Sequence, residues 1–74
     1  MRIHPGTVLL MQDSDLVNRM CYVILSDPLS VQDGLIEVMA IELRHGVMSP
    51  ARIYHWTARH ADTDTWTRAG WEVF

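Results

Sequence analysis

The sequence predicts a single β-dominated domain, built as a small antiparallel sheet that curls into a partly open barrel. Short runs rich in Val, Ile, Leu, Tyr and Trp alternate with turn signals such as "HPG" (4–6), "SDP" (26–28) and "HG" (45–46). Short apolar runs between Gly, Pro, Asp and Ser clusters are typical of antiparallel β-folds. A length of 74 residues fits one domain, so we assign 1–74 to a single unit.

Three stretches carry the clearest strand patterns. "TVLLM" (7–11) and "CYVILS" (21–26) are continuous apolar runs of strand length. The side chains of "ARIYHWT" (51–57) alternate in direction, so that Arg52, Tyr54 and Trp56 share one face. These runs predict three strands of the sheet.

The stretch "DGLIEVMAIELRHG" (33–46) fits two interpretations. As a helix it has Asp33 as an N-cap and Gly46 just beyond the C-terminus. A helix would, however, be apolar nearly all round, with almost no polar face. We therefore favour a strand and leave a helix as the alternative.

The last eleven residues, "DTWTRAGWEVF" (64–74), are rich in aromatic side chains. We expect "DTWT" and "WEVF" to pair as a hairpin through "RAG", with an irregular or helical C-terminal segment as the alternative. In the hairpin, Trp71 and Val73 face one way and Phe74 the other. The rings of Trp66, Trp71 and Phe74 then either close the mouth of the barrel or form a contact surface.

The composition narrows the functional classes. Six arginines and no lysine stand against nine carboxylates, for a formal net charge of −3. The arginines are spread singly, whereas nucleic-acid binders concentrate basic side chains, so we expect no binding to free DNA.

The sequence lacks a signal peptide and the roughly 20 apolar residues of a membrane span, which predicts a soluble intracellular protein. Cys21 is the one cysteine, so an internal disulfide is excluded and the thiol is expected to pack as a small hydrophobe.

The titratable side chains show no pattern typical of a catalytic or metal centre. His55 and His60 are five residues apart, which suits one face of neither a helix nor a strand. Asp13 and Asp15 are followed by apolar residues where a calcium loop would continue with further ligands. There is no Gly-rich phosphate loop and no Gly-x-Ser-x-Gly motif. We expect no catalytic residue, no metal and no cofactor, and a protein that is not an enzyme.

The stretch "HPGTVLLMQDSDLVNRMCYVILSDP" (4–28) resembles the opening of small endoribonuclease toxins of the MazF type. These begin with Pro-Gly, a strand, a loop with an arginine, and a strand that ends in an "LSDP"-like turn. The resemblance implies an alternative function as an RNase, with Arg19 stabilising the transition state. The next strand of such toxins carries a Thr in a "PIT"-like segment, where this chain has "VMAIEL" (38–43). The shared opening is that of an SH3-like barrel, the form we expect for the partly open sheet.

The whole chain resembles very small phage-encoded regulators of host transcription, through the opening "MRIHPGTVLLMQDSDL" (1–16), the lysine-free composition and the size. The resemblance implies a non-enzymatic protein of the host cytoplasm that binds bacterial RNA polymerase. The implied site is the N-terminal part of the β′ subunit near the RNA exit channel, with the β subunit as a further contact. Binding there hinders σ-dependent initiation and promotes readthrough of terminators, with NusA as a helper. A third alternative is an inhibitor of another host complex, such as a defence nuclease.

Residue chemistry suggests which side chains contact such a partner. Arg, Trp and Tyr dominate binding hot spots, and acidic groups speed the encounter with a basic segment. The candidates are Asp13, Asp15, Arg19, Glu42, Arg44, Arg52, Trp66 and Trp71. Glu37 is a further acidic candidate, and we expect the domain to be a monomer.

Overall fold

The computed structural model describes residues 1–12 and 19–74. Within these ranges the chain forms β1 (Val8–Met11), β2 (Met20–Ile24), β3 (Leu29–Ser30), β4 (Leu35–Arg44), β5 (Val47–Met48), β6 (Arg52–Thr57), the helix α1 (Thr63–Arg68) and β7 (Trp71–Val73). All strand pairs are antiparallel. The predicted β-dominated fold, a small antiparallel sheet with a helix near the C-terminal end, is confirmed.

Strand β4 organises the sheet because both of its edges are used. Its first half, up to Ala40, pairs with β6, and its second half, from Ala40 to Arg44, pairs with β2. The short strands β3 and β5 extend these two edges. β1 pairs with β2 and β7 pairs with β1, which gives the order β3-β4-β2-β1-β7. Among the described residues the outer edges of β6 and β7 pair with no strand, so the sheet is open, as expected.

The ambiguous stretch 33–46 is a strand, as favoured. Ile36, Val38 and Ala40 of β4 are buried and alternate with side chains that are more exposed. This period of two is the pattern of a strand with one face on a core. Strand β4 lies at the centre of the sheet, with other strands paired to both of its edges, and its inner-face residues meet the core.

The hydrophobic core lies on one face of the sheet, which we call the inner face. Its buried side chains come from β1, β2, β4, the N-terminal segment, α1 and the 3₁₀ helix that precedes it. They are Ile3, Leu9, Tyr22, Ile24, Ile36, Val38, Ala40, Ala61 and Trp66. The opposite side of the same strands is the outer face.

A tight two-residue turn joins β4 to β5, at one end of the sheet. His45 and Gly46 both have positive φ, at 52° and 74°. Two successive positive values are the requirement of a type I′ hairpin turn, whose twist matches that of the flanking strands. The predicted "HG" turn is thereby confirmed, with His45 in a conformation that side chains rarely adopt.

The predicted hairpin between "DTWT" and "WEVF" is wrong. Thr63–Arg68 is helical, and the Asp62 side chain caps this helix by accepting a hydrogen bond from the Asp64 amide at 3.0 Å. Trp71–Val73 pairs instead with β1. Strand β7 forms its backbone hydrogen bonds with the free edge of β1 and does not pair with the segment before it. That segment forms a helix, which Asp62 caps.

Candidate functional site

The inner face of β4 continues beyond the core and becomes polar. After the buried Ala40, the next two residues on the same face are Glu42 and Arg44. Across the strand pair, Glu42 lies opposite Tyr22 and Arg44 lies opposite Met20. The apolar core therefore grades into a charged end at the β4–β5 turn.

A cluster of aromatic rings adjoins this charged end. Tyr22 lies at its centre, stacked on Trp71 with centroids 5.6 Å apart and edge-on to Tyr54 at 5.4 Å. Trp56 and Trp66 pack beneath, with their centroids 5.0 Å apart at a T-shaped angle. Such offset and edge-to-face contacts are the favoured geometries of aromatic pairs and hold the rings in fixed positions.

Glu42 connects the aromatic cluster to the charged end. Its Oε1 lies 3.1 Å from Nε of Arg44, and its Oε2 accepts a hydrogen bond from the Tyr54 hydroxyl at 3.4 Å. The Arg44 guanidinium also reaches the Met20 sulfur at 3.2 Å. One carboxylate thus holds an arginine and a tyrosine on either side of it.

Two tyrosine hydroxyls of this region stay protonated. Burial, and then the nearby Glu42 carboxylate, raise the pKa of Tyr22 to about 12. The same two causes, in the same order, raise the pKa of Tyr54. Because a general base must be deprotonated near the working pH, hydroxyls with raised pKa values are poorly suited to that role and remain available as hydrogen-bond donors, as Tyr54 is to Glu42.

An open groove of about 450 Å³ runs beside the β4–β5 turn. Its lining combines charged and apolar side chains: Arg52 and the paired Glu42 and Arg44 lie beside Val47, Met48 and Pro50. Val47 and Met48 are exposed, and among residues 1–12 and 19–74 Arg52 has no ion pair. A groove with apolar walls and unpaired positive charge is suited to a partner's apolar side chain flanked by an acidic group.

Three of the sequence candidates come together here, and a fourth adjoins them. Glu42, Arg44 and Arg52 line the groove, and Trp71 joins them through its stack on Tyr22. We call the side chains of Glu42, Arg44, Arg52, Tyr54 and Trp71 the arginine–aromatic surface. Tyr54 was not a candidate, although the alternation of "ARIYHWT" had placed it on the same face as Arg52.

The remaining candidates lie elsewhere. Trp66 is only 5% exposed, and its ring NH donates to the His60 carbonyl at 2.8 Å, which corrects its assignment to a contact surface. Arg19 is partly buried just before β2. Glu37 pairs with His55 at 3.2 Å on the outer face. Asp13 and Asp15 lie outside the described residues.

Phe74 also lies apart from the other terminal rings. Its amide and carbonyl exchange hydrogen bonds with Val8, at 2.8 and 3.0 Å, which continues the β7–β1 ladder by one residue. Phe74 therefore faces away from Trp71 and Val73, as the alternation predicted, and is 67% exposed. The three rings do not close one barrel mouth: Trp66 is core, Trp71 is at the core's margin and Phe74 is on the outer face.

A second groove, of about 330 Å³, has a different set of basic side chains. This groove lies beside the helix α1 and is lined by Arg59, His60, Thr65 and Arg68. It shares no lining residue with the groove beside the β4–β5 turn. Its arginines therefore provide matched controls for the arginines of the arginine–aromatic surface.

The described parts of the chain contain no helix with the length and apolarity to cross a membrane. In those parts, no three His, Cys, Asp or Glu side chains are grouped as they would be around a metal ion. The chain is thus a small, open-sheet β-domain with a groove at one end. No protein-family model, no curated protein and no solved structure matches it. Its function is therefore inferred from the fold and its surfaces.

Proposed function

We propose that the chain is a non-enzymatic domain that binds a protein partner through the arginine–aromatic surface. The observation that supports this most is the chain of contacts from Trp71 through Tyr22 and Tyr54 to Glu42 and Arg44. It brings arginine and aromatic side chains, the residue types that dominate binding hot spots, onto one surface.

The surface is held in place before any partner arrives. Arg44 is fixed by Glu42, and Tyr54 is fixed by the same carboxylate and by the ring of Tyr22. Ordering a long side chain at an interface costs about 0.5–1.5 kcal/mol, so side chains that are already ordered lose less on binding. A small rigid domain can in this way reach useful affinity with few contacts.

We propose bacterial RNA polymerase as the partner, at the N-terminal region of β′, with β and NusA as neighbours in the complex. The resemblance to phage-encoded transcription regulators supports this choice, and the host cytoplasm is the location that we propose with it. The domain acts by binding one state of the polymerase more tightly than another. The favoured state does not hold σ on promoter DNA and reads through terminators.

A binding measurement with purified polymerase tests the proposal. Arg52→Ala removes an arginine without an ion pair in the described structure, so it should leave the melting temperature unchanged. Truncating a hot-spot arginine costs about 2 kcal/mol, so the affinity for core polymerase should fall by about 30-fold. Arg59→Ala, in the separate basic groove, is the matched control and should bind as the wild type does.

Two functional assays complete the test. Wild-type protein should reduce open-complex formation by σ-containing polymerase and increase readthrough of an intrinsic terminator, and Arg52→Ala should do neither. Incubation of the protein with RNA tests the RNase alternative. Cleaved RNA, with loss of cleavage in Arg19→Ala, would replace the proposal by the toxin-like function.

A further inference from the structure

The groove beside α1 concentrates positive charge in a chain that is acidic overall. The chain has a formal net charge of −3, yet two arginines stand side by side in this groove and no acidic residue lines it. Its volume of about 330 Å³ is near the lower end of the range for sites that bind small molecules. We call it the α1 groove, and its lining residues are Arg59, His60, Thr65, Arg68 and Ala69.

Neither arginine of the α1 groove is neutralised by a neighbour. Among residues 1–12 and 19–74, no acidic side chain lies within ion-pair distance of Arg59 or Arg68. In the same parts of the chain, neither guanidinium donates a hydrogen bond. Both residues are exposed. Because arginine stays protonated in proteins, both charges are available to a ligand.

Two internal roles are open to an arginine at the end of α1, and Arg68 fills neither of them. Asp64 precedes it by four residues, the spacing at which an acid and an arginine pair along a helix, but the two form no ion pair. A basic side chain in the last turn can also bond the helix carbonyls there. The Trp66 and Thr67 carbonyls accept instead from backbone amides just beyond the helix, both at 3.1 Å. Arg68 therefore lines the groove without serving the helix.

Hydrogen bonds join the two walls of the α1 groove into one frame. Thr65 Oγ1, on α1, donates to the Arg59 carbonyl at 2.7 Å. Trp66 Nε1, also on α1, donates to the His60 carbonyl at 2.8 Å. The His60 ring is held by Thr57 Oγ1, 2.7 Å from its Nδ1, and by an edge-on contact with the Trp66 ring at 5.2 Å. The backbone that carries the cations is thus ordered before a ligand arrives, which lowers the cost of binding.

We propose that the α1 groove binds the phosphate group of a small phosphate compound, either inorganic phosphate or a phosphate monoester. A phosphate monoester carries a charge of about −1.5 to −2 and three acceptor oxygens, which matches the two positive charges of Arg59 and Arg68. Each guanidinium presents its donors in a planar fork that fits two phosphate oxygens. A single carboxylate is already matched by one such fork and would leave the second arginine unused.

The lining indicates that the phosphate group itself is recognised. Apart from the basic side chains, the groove is lined by the small residues Thr65 and Ala69. Trp66, whose ring contacts that of His60, is only 5% exposed, so its face is not open for stacking on a nucleobase. A nucleic-acid strand is bound along a positively charged groove that follows its backbone, whereas the α1 groove is a single cluster. A small ligand therefore fits it better than a strand.

The phosphate site does not depend on the proposed partner. The α1 groove shares no lining residue with the groove beside the β4–β5 turn. A bound phosphate therefore leaves the arginine–aromatic surface unchanged. Different variants test the two sites, so each proposal can fail without the other.

Nuclear magnetic resonance of the full chain, at an ionic strength held constant with chloride, tests the site. Inorganic phosphate and glycerol 3-phosphate are titrated separately, and glycerol is the control without a phosphate. We expect both probes to cause saturable shifts of the Nε–H resonances of Arg59 and Arg68, and of the Trp66 indole N–H, which donates to the groove wall. Equal affinities would identify inorganic phosphate as a sufficient ligand, and tighter binding of glycerol 3-phosphate would identify an ester.

Substitutions assign the binding to the groove. Arg59→Ala and Arg68→Ala should each weaken phosphate binding at least about tenfold, because each removes charge-assisted hydrogen bonds. Their circular dichroism spectra should be unchanged, since both side chains are exposed. Arg68→Lys keeps the charge without the planar fork and should bind several-fold less tightly than the wild type. Arg52→Ala, which removes the same charge from the other groove, is the matched control and should bind phosphate as the wild type does.

Three results would overturn the phosphate site. The first is the absence of saturable shifts at millimolar phosphate. The second is wild-type affinity in both Arg59→Ala and Arg68→Ala. The third is an equal loss in Arg52→Ala and Arg68→Ala, because binding would then follow the net charge of the chain and not this groove. Arg59→Ala should still bind purified polymerase normally, so the outcome here is separate from that of the proposed function.

Discussion

The Glu42 carboxylate lies 3.1 Å from Nε of Arg44, two residues further along the same strand. Alternate residues of a strand face the same side, so the pair forms on the inner face without help from a neighbouring strand. The Tyr54 hydroxyl, from β6, then donates to the same carboxylate at 3.4 Å. One acidic side chain therefore positions an arginine and a tyrosine that come from different strands.

Glu42→Gln tests this positioning role. The substitution keeps the shape of the side chain and removes its charge, so Arg44 loses its ionic partner. Because the pair is partly exposed, the free energy of unfolding should fall by no more than about 1 kcal/mol. Partner binding should weaken several-fold, measured with the same purified polymerase.

Glu37→Gln is the matched control. It makes the same change in net charge as Glu42→Gln, but Glu37 lies on the outer face, where it pairs with His55. It should leave partner affinity unaltered. Equal affinities of Glu42→Gln and the wild type would show that Arg44 needs no anchoring by Glu42.

The two C-terminal tryptophans should respond differently to truncation. Trp66 is buried, so Trp66→Ala should cost about 3–5 kcal/mol. That is a large fraction of the whole stability of a small domain, so the melting temperature should fall steeply. Trp71 is only partly buried, so Trp71→Ala should stay folded and weaken partner binding more than it lowers the melting temperature. Thermal unfolding by circular dichroism, together with the binding assay, measures both.

Trp66→Phe separates the ring from its hydrogen bond. It keeps an aromatic side chain in the core and loses the bond to the His60 carbonyl, so we expect a loss of about 1–3 kcal/mol from the carbonyl left unpaired. If Trp71→Ala lowers the melting temperature as much as Trp66→Ala does, Trp71 is a core residue and not part of a contact surface.

Stability should fall at alkaline pH because of Tyr22. The pKa of Tyr22 is raised to about 12 in the folded domain, while an unperturbed tyrosine has a pKa of about 10. The unfolded chain therefore loses the proton first, and the free energy of unfolding should fall as the pH rises from about 10 to about 12. Below that window the contribution is fully present.

Denaturant unfolding at a series of pH values measures this effect. Tyr22→Phe should flatten the alkaline decline, and Tyr54→Phe should flatten it partly, since burial also raises the pKa of Tyr54. A Tyr22→Phe variant with the wild-type pH dependence would assign the decline to other groups.

The β4–β5 turn offers a stabilising substitution. His45 has a φ of 52°, which most side chains avoid; Asn, Asp and His adopt it more often, and Asn-Gly is the preferred pair of a type I′ turn. His45→Asn should therefore raise the free energy of unfolding by up to about 1 kcal/mol. Gly46→Ala, at a φ of 74°, should lower it by more than that. Denaturant unfolding of the two variants should move in opposite directions, and a shared direction would mean that the turn changes its conformation.

Local patterns predicted the strands well where the side-chain period was clear. "ARIYHWT" (51–57) alternates, and β6 is Arg52–Thr57 with Tyr54 turned to the core. The stretch 33–46 was favoured as a strand because a helix would have been apolar all round, and β4 occupies it. In both cases the alternation of residues along the strand decides which side chains can share the face that meets the core.

The C-terminal segment shows where local patterns fail. "DTWT" and "WEVF" both have β-type residues, and their spacing fits a hairpin. The structure uses the free edge of β1 for Trp71–Val73 instead, and Asp62 caps a helix over Thr63–Arg68. A pairing between residues about sixty positions apart decides this outcome, and no short window of sequence contains it.

The sequence by itself determined the β class and the two sets of side chains that each strand presents, because alternation along a strand is a local property. Tertiary structure decided which strands are neighbours, and thereby placed Trp71 beside Tyr22 and Arg52 beside Glu42. It also aligned the apolar outer sides of β1, β2 and β4 into one face. Register between distant strands depends on the shared core and on the turns that join them, so these surfaces exist only once the sheet is assembled.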